Sequence, residues 1–139
     1  MRPSSRTALL LLAAVVAGAC QADGPQGLRA GEFSVQLQSP SNSDRAIMFD
    51  LIGPAQSITP SSQTARVMVD TLGPDSVRIA IVAPIGASIG SGEVARLSVP
   101  NICAAAAYRA RIVDVAGSDY SLKPLSGYAL SVAPTGRGC

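Results

Sequence analysis

The sequence predicts an all-β domain, folded as a single antiparallel β-sandwich of about seven to nine short strands. Over several short segments apolar and polar residues alternate with a period of two, as in strands with one buried and one solvated face. Gly, Pro, Asn and Asp separate these segments at intervals of roughly 8 to 15 residues, which is typical of sandwiches. The patterned part of the chain, residues 32–139, has the length of one ordinary domain.

Seven strands are predicted, each marked by apolar residues at alternate positions. Proline withdraws a backbone donor and glycine adopts positive φ, so the joints between the segments end the strands. The alanine-rich segment 102–109 is the one helical candidate, and because it is too short to be stable alone it predicts a loop or a single helical turn. The predicted strands are 33–38 (Phe33, Val35, Leu37), 45–52 (Ile47, Phe49, Leu51), 64–71 (Val67, Val69), 76–83 (Val77, Ile79, Ile81), 95–99 (Ala95, Leu97, Val99), 108–113 (Tyr108, Ala110, Ile112) and 128–132 (Tyr128, Leu130, Val132).

The first 19 residues predict a secretory signal peptide. Arg2 and Arg6 precede an apolar run, 8–19, that ends in small residues. This run is too short to cross a bilayer, which takes about 20 apolar residues. Residues 20–31 are polar and rich in Gly and predict a flexible tether, which holds the domain roughly 20 Å from its attachment point. The chain is therefore expected to be exported.

The residues around Cys20 predict how the exported chain is attached. The sequence Val-Ala-Gly-Ala at 16–19, followed by Cys20, resembles the lipobox of bacterial lipoproteins, although Ala17 stands where Leu is commoner. The resemblance implies a diacylglyceryl group on the Cys20 thiol, and two or three acyl chains make a stable membrane anchor. Gln21 implies sorting to the outer membrane of a Gram-negative cell. The alternative is an ordinary signal peptide with a cysteine near its cleavage site.

The charge balance argues against a nucleic-acid partner. The whole chain has 11 Lys+Arg and 9 Asp+Glu. Loss of Arg2 and Arg6 with the signal peptide leaves a formal net charge of zero on the mature chain. A neutral chain whose single lysine is Lys123, without a basic cluster, is poorly suited to tracking a phosphate backbone.

The other two cysteines predict a disulfide. Once Cys20 carries lipid, Cys103 and Cys139 remain as an even pair in an oxidising compartment, where such pairs are usually bridged. A bridge over a loop of this length contributes roughly 3 to 4 kcal/mol in the loop-entropy model. The alternative is two unpaired thiols, with Cys103 in the core and Cys139 on a frayed end.

Three segments follow one another along the chain: AIMFDL at 46–51, DSVRIAIVAP at 75–84 and GSGEVARLSV at 90–99. In this order they resemble the cohesin domain and its carbohydrate-binding-module relatives. The resemblance implies a jelly-roll β-sandwich used for binding, to dockerin modules in cohesins and to polysaccharide in the related modules. The domain is shorter than a typical cohesin, and the chain has no dockerin-like calcium loop and no enzyme module. The resemblance therefore names no partner.

One pattern suggests catalysis. Gly-Ala-Ser-Ile-Gly at 86–90 fits the G-x-S-x-G elbow of the α/β-hydrolases, with Ser88 as the nucleophile. That elbow needs a strand-to-helix turn and a histidine to accept the serine proton, and the chain contains no histidine. A Ser-Lys alternative depends on Lys123 alone, without S-x-x-K spacing. A serine hydrolase is thus a minor alternative, and 86–90 predicts a loop of small residues.

Metal and carbohydrate sites have little support. Zinc prefers His or Cys, and calcium prefers clustered oxygens, whereas the aspartates are scattered at strand ends and turns. Asp114 and Asp119 flank one turn and are the pair most able to meet. Sugar-binding faces use exposed aromatic platforms, but only Tyr120 is expected to face solvent, which makes it the one candidate ligand contact. No metal or other cofactor is expected.

These observations predict a membrane-anchored envelope lipoprotein, not an enzyme. Its sandwich is expected to bind or scaffold another protein of the envelope. A carbohydrate-binding module is the second interpretation, and a row of exposed aromatic side chains would distinguish it.

Overall fold

Eight strands form two four-stranded sheets in the computed structural model, which describes residues 27–137 and 139. Cys20, the predicted signal peptide and most of the predicted tether lie outside the described residues. A single short 3₁₀ helix, Ile102–Ala107, precedes the seventh strand, and no helix in the described ranges is long and apolar enough to cross a membrane. The strands are β1 (Gly31–Gln38), β2 (Ala46–Ile52), β3 (Ser57–Pro60), β4 (Arg66–Gly73), β5 (Ser76–Val82), β6 (Gly92–Val99), β7 (Arg109–Ala116) and β8 (Ala129–Pro134).

The two sheets are antiparallel throughout. Sheet I has the strand order β3-β6-β1-β8, and sheet II has the order β4-β5-β2-β7. The chain passes between the sheets at most connections, so neither sheet is built from one continuous stretch of sequence. This arrangement confirms the predicted antiparallel sandwich of seven to nine short strands.

The core lies between the sheets and is built from the alternate apolar residues of the strands. Phe33 and Phe49 are fully buried, one from each sheet, and the ring of Tyr108 meets that of Phe33 edge-on with centroids 4.7 Å apart. The Tyr108 hydroxyl donates to the carbonyl of Pro54. Gly53 makes room for this ring, because a Cβ on Gly53 would lie 2.5 Å from it.

Two differences from the predicted strands have a clear structural cause. β3 was not predicted, because its four residues contain one apolar position, Ile58, and end on proline. It forms only by pairing along β6. β7 was predicted to end at Val113 but continues to Ala116, because a bulge between the partners of Met48 and Phe49 shifts its register. Beyond this bulge the inward positions become odd-numbered, so the period of two is interrupted.

The 3₁₀ helix has six residues and is interrupted at Ala104, where a loop or a single helical turn was expected. The side chain of Asn101 accepts a hydrogen bond from the Cys103 N–H at the start of the turn. Cys103 is joined to Cys139 by a disulfide, with Cα atoms 5.2 Å apart, a usual separation for a bridge. The bridge fastens the chain beyond β8 to the turn before β7.

Candidate binding surface on sheet II

The outward face of sheet II is formed by rows of residues that the strand register places side by side. In one row Met68, Ala80 and Met48 lie on β4, β5 and β2. The neighbouring row crosses all four strands and alternates in charge: Asp70, Arg78, Asp50 and Arg111. These aspartates are far apart along the chain, so the sequence does not reveal the register that aligns them with the arginines.

Asp50 is the centre of the charged row. Arg78 holds it with two parallel hydrogen bonds, Nε to Oδ1 at 2.7 Å and Nη2 to Oδ2 at 3.0 Å, and Arg111 approaches Oδ2 at 3.4 Å. These bonds, first that from Arg78, hold the pKa of Asp50 below its ordinary value despite partial burial. Asp50 and Arg78 thus form a fixed pair within the row, since bidentate Arg-carboxylate pairs have a defined geometry.

The outward face also carries exposed apolar side chains, beside further charged residues at Arg66, Arg109 and Asp114. Met68 is 58% exposed and Ile52 is 53% exposed, although both lie in regular strands. At the end of the sheet near Arg66 and Val82, a groove of about 620 Å³ is bounded by Tyr120 and Ile85. Tyr120, the predicted ligand contact, is exposed, lines this groove and adopts a positive φ of 60°.

The outward face of sheet I provides an internal comparison because it is polar. Ser34 donates to Glu93 at 2.8 Å, and Gln36 donates in turn to Ser34. Arg96 donates to the same Glu93 carboxylate at 2.8 Å, which lowers the pKa of Glu93. The two faces of one small sandwich therefore differ in chemistry, since the exposed large apolar side chains of the strands, those of Ile52, Met68, Val69 and Leu72, all lie in sheet II. Exposed apolar surface rimmed by polar groups is typical of interaction sites.

A buried ion pair lies at one end of the sandwich. Asp44 has no exposed surface, and Lys123 donates to its Oδ1 at 2.6 Å. Ser39 and Tyr128 donate to the same carboxylate at 2.7 and 2.9 Å. The backbone carbonyl of Asp44 also accepts a bond from Ile89. The cluster joins the β1–β2, β5–β6 and β7–β8 connections, which the sequence could not predict because Asp44 and Lys123 are 79 residues apart.

The charges of this cluster are firmly held. Burial opposes ionisation of Asp44, but the hydrogen bonds from Lys123, Ser39 and Tyr128 outweigh it and hold the Asp44 pKa below its ordinary value. The bond to Asp44 raises the pKa of Lys123 above its usual value. Lys123 also donates to Ser41 at 2.8 Å. Because Lys123 stays protonated, it is a donor in this contact and a poor general base for a serine.

Ser88 does not lie in the structural context that a nucleophile elbow requires. The segment 86–90 connects β5 to β6, so it joins two strands and leads into no helix. Ser88 is exposed and borders a cavity of about 200 Å³ together with Ser61, Ile81 and Glu93. Lys123 is bound to Asp44 and Ser41. The predicted loop of small residues is present.

The other candidate ligands, Asp114 and Asp119, have different surroundings. Asp119 accepts hydrogen bonds from the backbone and hydroxyl of Ser121, whereas Asp114 lies opposite Met48 on the sheet. Within residues 27–137 and 139, no group of three or more His, Cys, Asp or Glu could hold a metal ion. Tyr120 is the only aromatic residue of the described chain with a largely exposed ring, so these residues form no aromatic row.

The fold defines an all-β sandwich protein in which one outward face, that of sheet II, combines exposed apolar side chains with a row of alternating charges. No family model, curated protein or solved structure matches this sequence.

Proposed function

We propose that this chain is a lipid-anchored lipoprotein of the bacterial envelope, whose β-sandwich binds another envelope protein through the outward face of sheet II. The observation that carries the proposal is the contrast between the two faces. Sheet I presents hydrogen-bonded polar side chains, while sheet II presents exposed Met68 and Ile52 beside a row of alternating charges. Protein interfaces combine these features, with an apolar centre and charged pairs that fix the register.

Anchoring is the second part of the proposal and derives from Cys20 and the residues before it. Acyl chains on Cys20 hold the domain at a membrane surface, and residues 20–31 let it move within roughly 20 Å of that surface. A small domain that is held there, and whose strongest surface feature is an interaction face, is well placed to recruit or scaffold a second protein.

The experiment compares one substitution on each face. Met48 and Gln36 are both half-buried, and both lie outward on a central strand, Met48 in sheet II and Gln36 in sheet I. Full-length chains carrying Met48→Arg or Gln36→Arg are expressed in the native envelope, crosslinked and captured through a C-terminal tag. We expect Met48→Arg to lose the captured partner and Gln36→Arg to retain it. Equal capture by the two variants would contradict binding through sheet II.

A Cys20→Ser chain tests the anchoring part separately. It keeps the sandwich and both outward faces, so any partner that it still captures binds independently of the lipid. If the parent chain captures only the proteins that Cys20→Ser also captures, anchoring has no role in recruitment.

A further inference from the structure

β4 is a long edge strand whose outer edge is unpaired within the described part of the chain. Among residues 27–137 and 139, its only strand partner is β5. The edge of sheet I on the same side, β3, has four residues and ends on proline. On the opposite side β7 and β8 contact one another, and Ala116 of β7 also bridges to Leu122. Open edges of this length are templates for pairing with another strand.

The exposed residues of β4 are unusually apolar for such an edge. Met68, Val69 and Leu72 are 58%, 51% and 47% exposed. Val69 lies opposite Ile79, so its side chain is directed to the inner side of the sheet and is still half uncovered. Edge strands are normally protected by charges, prolines or bulges. Here a bulge follows Thr71, and charged residues stand only at positions 66 and 70.

The sequence of β4 is complementary to itself when read in the opposite direction. Residues 66–70 read Arg-Val-Met-Val-Asp, with Met68 at the centre, a valine on each side and opposite charges at the ends. In an antiparallel pair of two such strands, Arg66 of each lies beside Asp70 of the other. Val67 likewise lies beside Val69, and Met68 lies beside Met68. A two-fold symmetric contact needs a surface of this kind, in which residue i meets j and j meets i.

We propose that two copies of this chain pair through their β4 edges, antiparallel and centred on Met68, to form one continuous eight-stranded sheet. The pairing supplies the opposite charge that the row on sheet II lacks at its end. Across the row Arg111, Asp50, Arg78 and Asp70 alternate in sign, and Arg66 of the second copy is the next residue in line. Directly opposed pairs of opposite charge stabilise antiparallel strands, and like charges destabilise them.

The same pairing joins the apolar rows. Met48, Ala80 and Met68 of one copy become continuous with Met68, Ala80 and Met48 of the other, in one band across six strands. On the inner side, Val67 of each copy covers the exposed half of Val69 of the other. The backbone donors and acceptors along the outer edge of β4 acquire partners at the same time.

Charge exchange tests the pairing. In the full-length chain in detergent, Arg66→Asp places Asp beside Asp at both ends of the contact, and Asp70→Arg places Arg beside Arg. Each single variant should weaken dimerisation about tenfold or more in sedimentation velocity. The double variant, with both charges exchanged, should dimerise like the parent. An equal mixture of the two single variants should associate, because each then supplies the charges that the other lacks.

The mixture distinguishes loss of pairing from loss of folding, since misfolded chains would not recover affinity for each other. A parent chain that stays monomeric, or a mixture that associates no better than its components, would overturn the proposal. Met48 lies two strands from the edge, so Met48→Arg should leave dimerisation unchanged. The β4 contact and partner binding by sheet II can therefore fail independently.

A disulfide trap locates the contact. Opposed residues of antiparallel strands have Cα atoms about 4.5 to 5.5 Å apart, within the range of a disulfide. Met68→Cys in two differently tagged full-length copies should yield a mixed, reducible dimer in the envelope. Ala80→Cys is the matched control, since three strand spacings would separate its two copies by about 14 Å. A disulfide between Met68→Cys and a different protein would exclude the second copy as the occupant. Equal yields of disulfide-linked dimer from Met68→Cys and Ala80→Cys would exclude it as well.

Discussion

Asp44 shows how one carboxylate can order an end of this fold. It is fully buried, yet it stays ionised because Lys123, Ser39 and Tyr128 all donate to it. A buried charge is tolerated only with such partners, and removing one partner leaves a charge that water cannot reach. The cluster is therefore a point of high sensitivity to substitution, although no sequence pattern marks it.

Lys123→Met should destabilise the protein by about 3 kcal/mol at neutral pH. The lysine is the main group that offsets the burial of Asp44, so without it burial dominates and the Asp44 pKa rises. The variant then binds a proton on Asp44 more readily when folded than when unfolded. Its deficit against the parent should therefore shrink as the pH falls through the raised pKa. Urea unfolding of both chains between pH 4 and 8 measures this change.

Arg96→Met is the matched control for that substitution. Arg96 is also ion-paired, to Glu93, but its side chain is 53% exposed. Surface pairs contribute at most about 1 kcal/mol, so its loss should be small at every pH. An equal loss of stability in the two variants would show that burial of Asp44 does not determine the energetics.

In the parent, the Asp44 pKa is lowered in the folded state. The stability that ionised Asp44 contributes is therefore present at neutral pH and is lost as the pH falls through the folded pKa.

Gly53→Ala should destabilise the protein by about 2 kcal/mol or more. Gly53 has a φ of 122°, and an added Cβ would meet the Tyr108 ring at 2.5 Å. Gly86→Ala separates backbone strain from the steric clash, because Gly86 has a φ of 86° but open space around it. In thermal unfolding, the midpoint temperature of Gly53→Ala should be well below that of Gly86→Ala. The same loss in both variants would show that backbone strain alone, without the clash, determines the cost.

At the level of elements, the alternation of apolar residues was sufficient to predict seven of the eight strands. It succeeded where a strand buries one face over several alternate apolar residues, as around Phe33 and Phe49. It failed for β3, which is held by pairing with β6, and at the end of β7, where a bulge changes the inward face. The alternation within a strand does not specify the register between strands, so the row through Asp50 and the Asp44 cluster could not be predicted.

The disulfide acts on two elements, the 3₁₀ helix and the segment after β8. Replacing both Cys103 and Cys139 with Ala should lower the free energy of unfolding by roughly 3 kcal/mol, because the bridge limits the unfolded chain over a loop with a sequence separation of 36. Denaturant unfolding measures the change. The reduced parent is the control and should unfold with the midpoint of the double variant. A parent whose midpoint is insensitive to reduction would contradict a stabilising bridge.

At the scale of the whole molecule, the proposed anchor and the proposed dimer constrain each other. The tether enters β1, a central strand of sheet I, at Gly31. Pairing through β4 reverses the strand direction of the second copy, so the two tethers emerge at opposite ends of the joined sheet. Both can reach one membrane only if the strands lie along its surface. With sheet I toward the membrane, both sheet II faces then point away from the lipid, where a partner can approach.

The proposed arrangement at the membrane depends on acylation of Cys20, so replacing this residue tests it directly. Cys20→Ser should prevent acylation, because serine lacks the thiol that accepts the diacylglyceryl group in the lipoproteins that this N-terminus resembles. Without that group the signal peptide should not be removed, so full-length precursor should accumulate. Labelling with radioactive palmitate and the mobility of the chain on a gel measure both effects. Cys139→Ser is the control and should be labelled and processed like the parent. Normal maturation of Cys20→Ser to a soluble chain would instead indicate an ordinary signal peptide, and the sandwich would then act away from the membrane.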